Sequence, residues 1–110
     1  MDQTDTLTDP VLAAIVHRLV AAFRPQQIFL FGSMARGDHG PDSDYDIMVV
    51  VSTSDEPAYR RARAAYAALR GIDAAVDVVV WTQEAFASRL HLRASFPATV
   101  VREGKLLYAA

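Results

Sequence analysis

The sequence predicts an α/β domain in which a mixed β-sheet is flanked by helices. Segments with helical spacing of apolar residues alternate with short runs of β-branched and aromatic residues. A short connection joins the first two of these runs, so we expect antiparallel strands there and a mixed sheet. The chain has 110 residues and no linker rich in Pro, Gly or Ser. We therefore expect a single domain over residues 1–110, with residues 1–8 as a flexible N-terminus.

The first half of the chain predicts one helix and two strands. Asp9-Pro10 is typical of a helix start, and apolar residues recur at helical spacing until Pro25. A strand over residues 28–31 follows and ends at a Gly-Ser pair. Residues 34–43 contain two glycines and a proline and predict a loop with a helical turn at its start. Residues 45–51 then predict a second strand.

The second half predicts three helices and two strands. Ser54 or Asp55 is expected to cap a helix that Gly71 closes. A strand over residues 75–81 follows, and Thr82 caps a helix that continues through residue 92. A short helix around residues 97–102 and an edge strand over residues 105–108 complete the sheet.

Composition excludes several classes of function. The chain has 13 acidic and 11 basic residues, a net charge of −2, so broad binding to nucleic acids or anionic membranes has no electrostatic support. It contains no cysteine, which excludes disulfides, thiolate nucleophiles and zinc sites built on Cys. No secretory signal or apolar run of about 20 residues is present. We expect a cytoplasmic protein with no direct nucleic-acid or membrane partner.

Two carboxylates at the start of the second strand are the first candidates for chemistry. Asp44 and Asp46 lie two residues apart, so both side chains should point to one face of the strand. Such a pair repels unless one carboxyl is protonated or a cation lies between them, and all-oxygen ligands suit Mg²⁺ or Mn²⁺. A turn-capping, solvated pair remains the alternative for this motif taken alone.

The strand before them ends in a candidate phosphate-binding turn. Gly32 allows backbone N–H groups to approach an anion, and Ser33 adds a hydroxyl donor. A helical turn starting here would add a positive dipole end, and Arg36 could reach a phosphate. An ordinary strand-ending turn and a surface cation are the alternatives. A phosphate-binding turn followed by paired carboxylates is more specific than either half.

Asp77 is the third acidic candidate. It lies among valines in a predicted strand, where a charge is costly unless it is paired or bound to metal. Exposure on an edge strand is the alternative. With Asp44 and Asp46 on a neighbouring strand, three carboxylates around divalent cations would form a phosphoryl- or nucleotidyl-transfer site, with Asp77 as general base or metal ligand.

These residues resemble a known family. The run Gly32-Ser33, ten residues and Asp44-x-Asp46 resembles the signature of DNA polymerase β-like nucleotidyltransferases, and Ala35-Arg36-Gly37 with Ser43-Asp44-Tyr45-Asp46 resembles the minimal nucleotidyltransferase (MNT) subgroup. The similarity extends over most of the chain, including the C-terminal stretch at residues 102–108.

The resemblance implies a polymerase β-like fold, Mg²⁺-dependent binding of a nucleoside triphosphate, and transfer of AMP from ATP to a hydroxyl. Asp44, Asp46 and Asp77 would bind metal, with Mn²⁺ as the other candidate ion. Gly32 and Ser33 would hold the triphosphate. Members of this subgroup are often paired with a HEPN-domain protein, and some are antitoxins that adenylylate a tyrosine of that toxin. We therefore expect a HEPN partner in a hetero-oligomer.

Two alternatives remain open at this point. One is a catalytically idle antitoxin that neutralises its partner by occlusion alone. The other is an enzyme that modifies a small molecule such as an aminoglycoside. About thirty residues follow Asp77, too few for the acceptor-binding domain of larger relatives, and this favours an acceptor with its own docking surface.

Residues outside the motif are expected to have ordinary structural roles. His39 in the motif loop is expected to be solvated rather than to touch a phosphate. Tyr59 and Tyr66 are expected to edge the core, with a partner-binding surface as the alternative.

Overall fold

A computed structural model describes residues 9–38, 40 and 43–110 of the chain. It contains a four-stranded sheet in the order β3-β2-β1-β4, with strands β1 Gln27–Phe31, β2 Tyr45–Val51, β3 Val76–Thr82 and β4 Lys105–Ala109. Strand β1 is antiparallel to both β2 and β4, whereas β2 and β3 are parallel. The predicted mixed sheet is confirmed, and so is the position of β4 at its edge. The expected N-terminal segment at residues 1–8 lies outside the described residues.

Five helices connect and cover the strands: α1 Pro10–Phe23, α2 Gly32–Arg36, α3 Ala58–Ala68, α4 Gln83–Arg89 and α5 Phe96–Glu103. Helix α1 begins as predicted, because the Asp9 carboxylate accepts hydrogen bonds from the N–H groups of Val11 and Leu12. The predicted cap by Thr82 is also confirmed, through a hydrogen bond from the N–H of Ala85.

The predicted boundaries of α3 and α4 are wrong. Helix α3 ends at Ala68, before Gly71, which was expected to close it. Helix α3 begins after Pro57, not at Ser54 or Asp55, because the Ser54 hydroxyl instead accepts from the N–H of Glu56 and closes a turn. Helix α4 ends at Arg89 rather than at residue 92. There the Ser95 hydroxyl donates to the carbonyl of Arg89 and redirects the chain into α5.

The two faces of the sheet form two apolar clusters. The larger lies between the sheet and helices α1 and α3, and it includes Ile47 and Val78. The smaller lies under α4 and α5 and includes Met48 and Val50. Since successive strand residues alternate between faces, Asp46 and Asp77 belong to the face of the smaller cluster. Across residues 9–38, 40 and 43–110, the structure has no helix long and apolar enough to cross a bilayer.

Candidate functional site

The sheet brings two of the three predicted carboxylates together. Asp46 and Asp77 are directly opposite each other in the parallel register of β2 and β3. Neighbouring strands lie about 5 Å apart, and residues in register point to the same face. Both residues stand at the start of their strands. The carboxylates are therefore adjacent at an open corner of the sheet.

Asp44 adds a third negative charge at this corner. It is exposed and immediately precedes β2. Burial raises the pKa of Asp46 above its ordinary value, the negative charges of Asp77 and Asp44 raise it further, and the positive charge of Arg36 opposes the shift. Asp46 therefore interacts electrostatically with the other two carboxylates and with Arg36.

Gly32 lies directly against the Asp46 carboxylate. Its φ of +74° is a left-handed conformation that favours glycine, and a Cβ there would overlap Oδ2 of Asp46. From the sequence, we explained this glycine by the close approach of a phosphate to the backbone. The structure adds a second reason, since any larger residue would displace the carboxylate.

Helix α2 presents its N-terminus beside the same carboxylate. It consists of Gly32–Arg36, so the predicted helical turn exists but starts two residues earlier than the predicted loop. No side chain caps its N-terminus, so Gly32 and Ser33 place their N–H groups at an uncapped helix end. Arg36 lies in the last turn and pairs with Asp38, its Nε 3.2 Å from Oδ2. A phosphate held at this end would lie next to the carboxylate corner.

Tyr66 is a contact of the site that sequence reasoning missed. Its hydroxyl donates to Oδ1 of Asp77 at 2.9 Å and accepts from the backbone N–H of Val78 at 3.3 Å. The expectation that Tyr66 edges the core is wrong, because its side chain is 47% exposed. Helical spacing puts Tyr59, Arg63 and Tyr66 on one polar stripe of α3, but this spacing alone does not show that the stripe passes the edge of β3.

A second tyrosine anchors the start of β2. The Tyr45 hydroxyl donates to Oδ2 of Asp9 at 2.7 Å, while the other oxygen of Asp9 caps α1. Burial, the hydrogen bond and the negative charge of Asp9 raise the pKa of Tyr45 to about 12. The contact ties the strand beside Asp46 to the first helix.

The donor set has the chemistry that a divalent cation needs. All three carboxylates are oxygen ligands of the kind that Mg²⁺ and Mn²⁺ prefer. Burial is the largest cause of the raised pKa of Asp46, and the negative charges of Asp77 and Asp44 add to it. In the part of the chain that the structure describes, however, no three His, Cys, Asp or Glu side chains are already gathered closely enough to hold an ion. The residues fit a metal in type, with the side chains not yet converged.

An uncapped helix N-terminus beside carboxylates on the next strand is an arrangement that suits phosphate transfer. The family profile of the nucleotidyltransferase domain matches residues 12–105. The chain therefore belongs to the nucleotidyltransferase domain family, which confirms the family resemblance stated from the sequence. Comparison with curated proteins finds no match.

Solved structures share the fold. A proposed nucleotidyltransferase from Sulfolobus solfataricus has a TM-score of 0.66 and 23% identity, over 97% of this chain and 83% of that chain. A toxin–antitoxin structure with AMP-PNP has a TM-score of 0.55 and 27% identity, over 89% of this chain and 73% of that one. A mutant of the MntA-HpeT toxin–antitoxin has a TM-score of 0.55 and 22% identity, over 100% of this chain and 75% of that one. These neighbours confirm the predicted polymerase β-like α/β architecture.

The individual roles predicted for Gly32, Ser33, Arg36 and the three aspartates remain predictions. The structure brings Asp46 opposite Asp77 and Gly32 against Asp46, while Asp44 and Arg36 act on Asp46 through their charges. His39 lies outside the described residues.

Proposed function

We propose that this nucleotidyltransferase transfers AMP from ATP to a hydroxyl, specifically a tyrosine, of a partner protein, in a Mg²⁺-dependent reaction. The observation that carries the proposal is the register pair Asp46 and Asp77, with Gly32 packed against Asp46. In this arrangement the carboxylates that we propose as metal ligands lie next to the helix end that we propose to hold the phosphates. The cytoplasmic location expected from the sequence belongs to the same proposal.

The proposed chemistry assigns one task to each part of the corner. The N–H groups of Gly32 and Ser33 hold the triphosphate, and Arg36 binds a phosphate oxygen. Asp77 accepts the proton of the acceptor hydroxyl, whose oxygen forms a bond to the α-phosphorus. The bond from that phosphorus to the bridging oxygen of the β-phosphate breaks, and pyrophosphate leaves. Mg²⁺ held by Asp44, Asp46 and Asp77 would neutralise the charge that develops on the phosphates.

The partner is proposed to be a toxin of the HEPN class, with this chain as its antitoxin. The structural neighbour that is 27% identical is a toxin–antitoxin structure with AMP-PNP, a non-hydrolysable ATP analogue. Its nucleotide and its assembly support a nucleoside triphosphate and a protein partner here. The HEPN class follows from the MNT resemblance of the motif alone.

Intact-mass spectrometry of a partner protein tests the proposal. The product of the neighbouring reading frame is incubated with this chain, ATP and Mg²⁺, and we expect mass increments of whole AMP units on the partner. The Asp44→Asn/Asp46→Asn variant should give none. The matched control is Asp55→Asn, which removes an exposed carboxylate from the loop before α3. Full transfer by the double variant would contradict the assignment of these carboxylates.

A second candidate is an antitoxin that acts by occlusion alone. It is favoured by one observation: within the described ranges the acidic side chains have not converged on a metal-binding geometry. This alternative predicts a stable complex with the partner, no mass increment, and full protection of cells by the Asp44→Asn/Asp46→Asn variant. AMP transfer to a small molecule such as an aminoglycoside, with no change to any partner protein, would instead support the third hypothesis.

A further inference from the structure

Tyr66 contacts the site from the opposite side of the sheet. Its helix, α3, packs on the face of the larger cluster through Ala65, whereas Asp77 belongs to the other face. Strand β3 is the last in the order β3-β2-β1-β4, so one of its sides has no neighbouring strand. Tyr66 reaches around this free side, where it accepts the N–H of Val78 and donates to Asp77.

The two hydrogen bonds fix the direction of the Asp77 carboxylate. The backbone N–H of Val78 holds the phenol oxygen at 3.3 Å, so the phenol proton points to Oδ1 of Asp77, 2.9 Å away. Because Oδ1 accepts the phenol hydrogen bond, Oδ2 is the oxygen left for another ligand. A carboxylate on an edge strand without such a contact would sample several rotamers.

We propose that Tyr66 is the positioning residue of Asp77, holding one carboxylate oxygen at the edge of β3 so that the other faces Asp46 and the metal and acceptor hydroxyl. This inference rests on the proposed function, since it assigns Tyr66 to the residue proposed as base and metal ligand. Residues that orient metal ligands by hydrogen bonds typically change metal affinity or activity by about 10- to 100-fold when removed. Tyr66 is therefore expected to act on turnover through Asp77, without contacting ATP.

Tyr59 provides a matched control on the same helix. It lies on the same polar stripe and is 60% exposed. Cζ of Arg63 lies over its ring, 6.0 Å from the ring centroid. Changing either tyrosine to phenylalanine removes one hydroxyl from an exposed ring. Only Tyr66→Phe removes a hydrogen bond to a site carboxylate.

The test measures both metal binding and transfer in the full chain. Titration of Mn²⁺, followed by the electron paramagnetic resonance signal of the free ion, should show an affinity about 10-fold weaker for Tyr66→Phe than for the wild type. Transfer kinetics should show kcat lowered about 10- to 100-fold with the KM for ATP nearly unchanged. Tyr59→Phe should match the wild type in both measurements.

The two measurements separate this inference from the proposed function. A wild type that transfers no AMP, together with Mn²⁺ binding that weakens only in Tyr66→Phe, would support the positioning role and contradict the proposed reaction. Wild-type affinity and kcat in Tyr66→Phe, or equal losses in Tyr59→Phe, would overturn the positioning role. AMP found on Tyr66 itself would also overturn it, because Tyr66 would then be an acceptor. A wild type with neither Mn²⁺ binding nor transfer would overturn both.

Discussion

The first residues of β2 and β3 differ sharply from the rest of these two strands. Tyr45, Asp46 and Asp77 are polar and at least partly exposed, and their contacts are hydrogen bonds and charges. From Ile47 onward β2 is buried on both faces, and residues 47–50 have no exposed surface. Across the described ranges of the chain, no polar or charged side chain is buried. The apolar core and the polar contacts of the candidate site are thus separated along the same strands.

This difference has a physical cause. Helices on both faces cover the body of the sheet, so its residues contribute by removing apolar area from water. At the strand starts, burial and then the negative charges of Asp77 and Asp44 raise the pKa of Asp46, so the ionised form of Asp46 opposes folding. A corner that lowers stability in this way is typical of a binding or catalytic site.

The largest effect on stability is expected in the body of β2. Met48 is fully buried between β2 and the helices α4 and α5, so Met48→Ala should lower the free energy of unfolding by about 2–5 kcal/mol. Denaturant unfolding measures this loss. Val101→Ala, at a position that is 50% exposed, is the control and should change stability by less than about 0.5 kcal/mol. Equal losses in the two variants would contradict the assignment of stability to the strand bodies.

Gly32, the first residue of α2, and Gly37, the residue after its end, separate the effect of backbone strain from that of contact with the site. Gly37 has a φ of +83°, and no atom of the described residues lies within 4 Å of an added Cβ. Gly37→Ala should therefore lower the free energy of unfolding only through the strain of the left-handed backbone, by about 1–2 kcal/mol. Gly32→Ala should cause the same strain and also displace Asp46, so it should lower the free energy of unfolding by about 1–3 kcal/mol more than Gly37→Ala. It should also lower nucleotide transfer more than Gly37→Ala does. Unfolding and transfer assays on both variants measure the difference. Equal changes in stability and transfer in the two variants would mean that the contact of Gly32 with Asp46 contributes to neither.

The hydrogen bond from Tyr45 to Asp9 is expected to contribute about 1 kcal/mol to the free energy of unfolding. The decrease of that free energy in Tyr45→Phe measures this contribution. The folded protein raises the pKa of this phenol to about 12 from an ordinary value near 10. The stabilisation by this hydrogen bond should therefore be complete below the ordinary pKa of tyrosine, near 10. It should disappear as pH rises through the raised pKa of about 12. Unfolding of both proteins between neutral and alkaline pH checks this. A stability gap that persists above the raised pKa would contradict the assignment.

The smallest effect is expected from the charge of Asp46. Because its pKa is raised in the folded protein, the wild type should lose stability as pH rises through the carboxylate range, whereas Asp46→Asn lacks this loss. The variant should therefore gain stability relative to the wild type between acidic and neutral pH. Thermal unfolding in the presence of a chelator measures the change. A relative loss over this range would show that Asp46 is stabilised as an anion.

Local sequence was sufficient for most of the fold and for the motif half of the site. Helical spacing after Asp9-Pro10 predicted α1, and a dense run of β-branched residues predicted β2. The boundaries of α3 and α4 were wrong because Ser54 and Ser95 bond to nearby backbone groups, and several such bonds are open to any serine in a turn.

The contacts around Asp77 could not be obtained in the same way. Its pairing with Asp46 depends on the register of two strands that are connected through a helix, and no local pattern encodes that register. Tyr66 was missed for a related reason. Helical spacing placed it on an exposed stripe, but only the packing of α3 beside the edge of β3 brings that stripe to the site.

The most direct test of this separation is Asp77→Asn, with transfer and unfolding measured on the same preparation. Asparagine keeps an oxygen that can accept the Tyr66 hydrogen bond and removes only the charge and the basic oxygen. Asp73→Asn, in the exposed turn before β3, is the control. We expect Asp77→Asn to lower AMP transfer at least about 100-fold, with no loss in the free energy of unfolding. Transfer at the wild-type rate, or a loss of stability that accounts for the lost activity, would contradict the account.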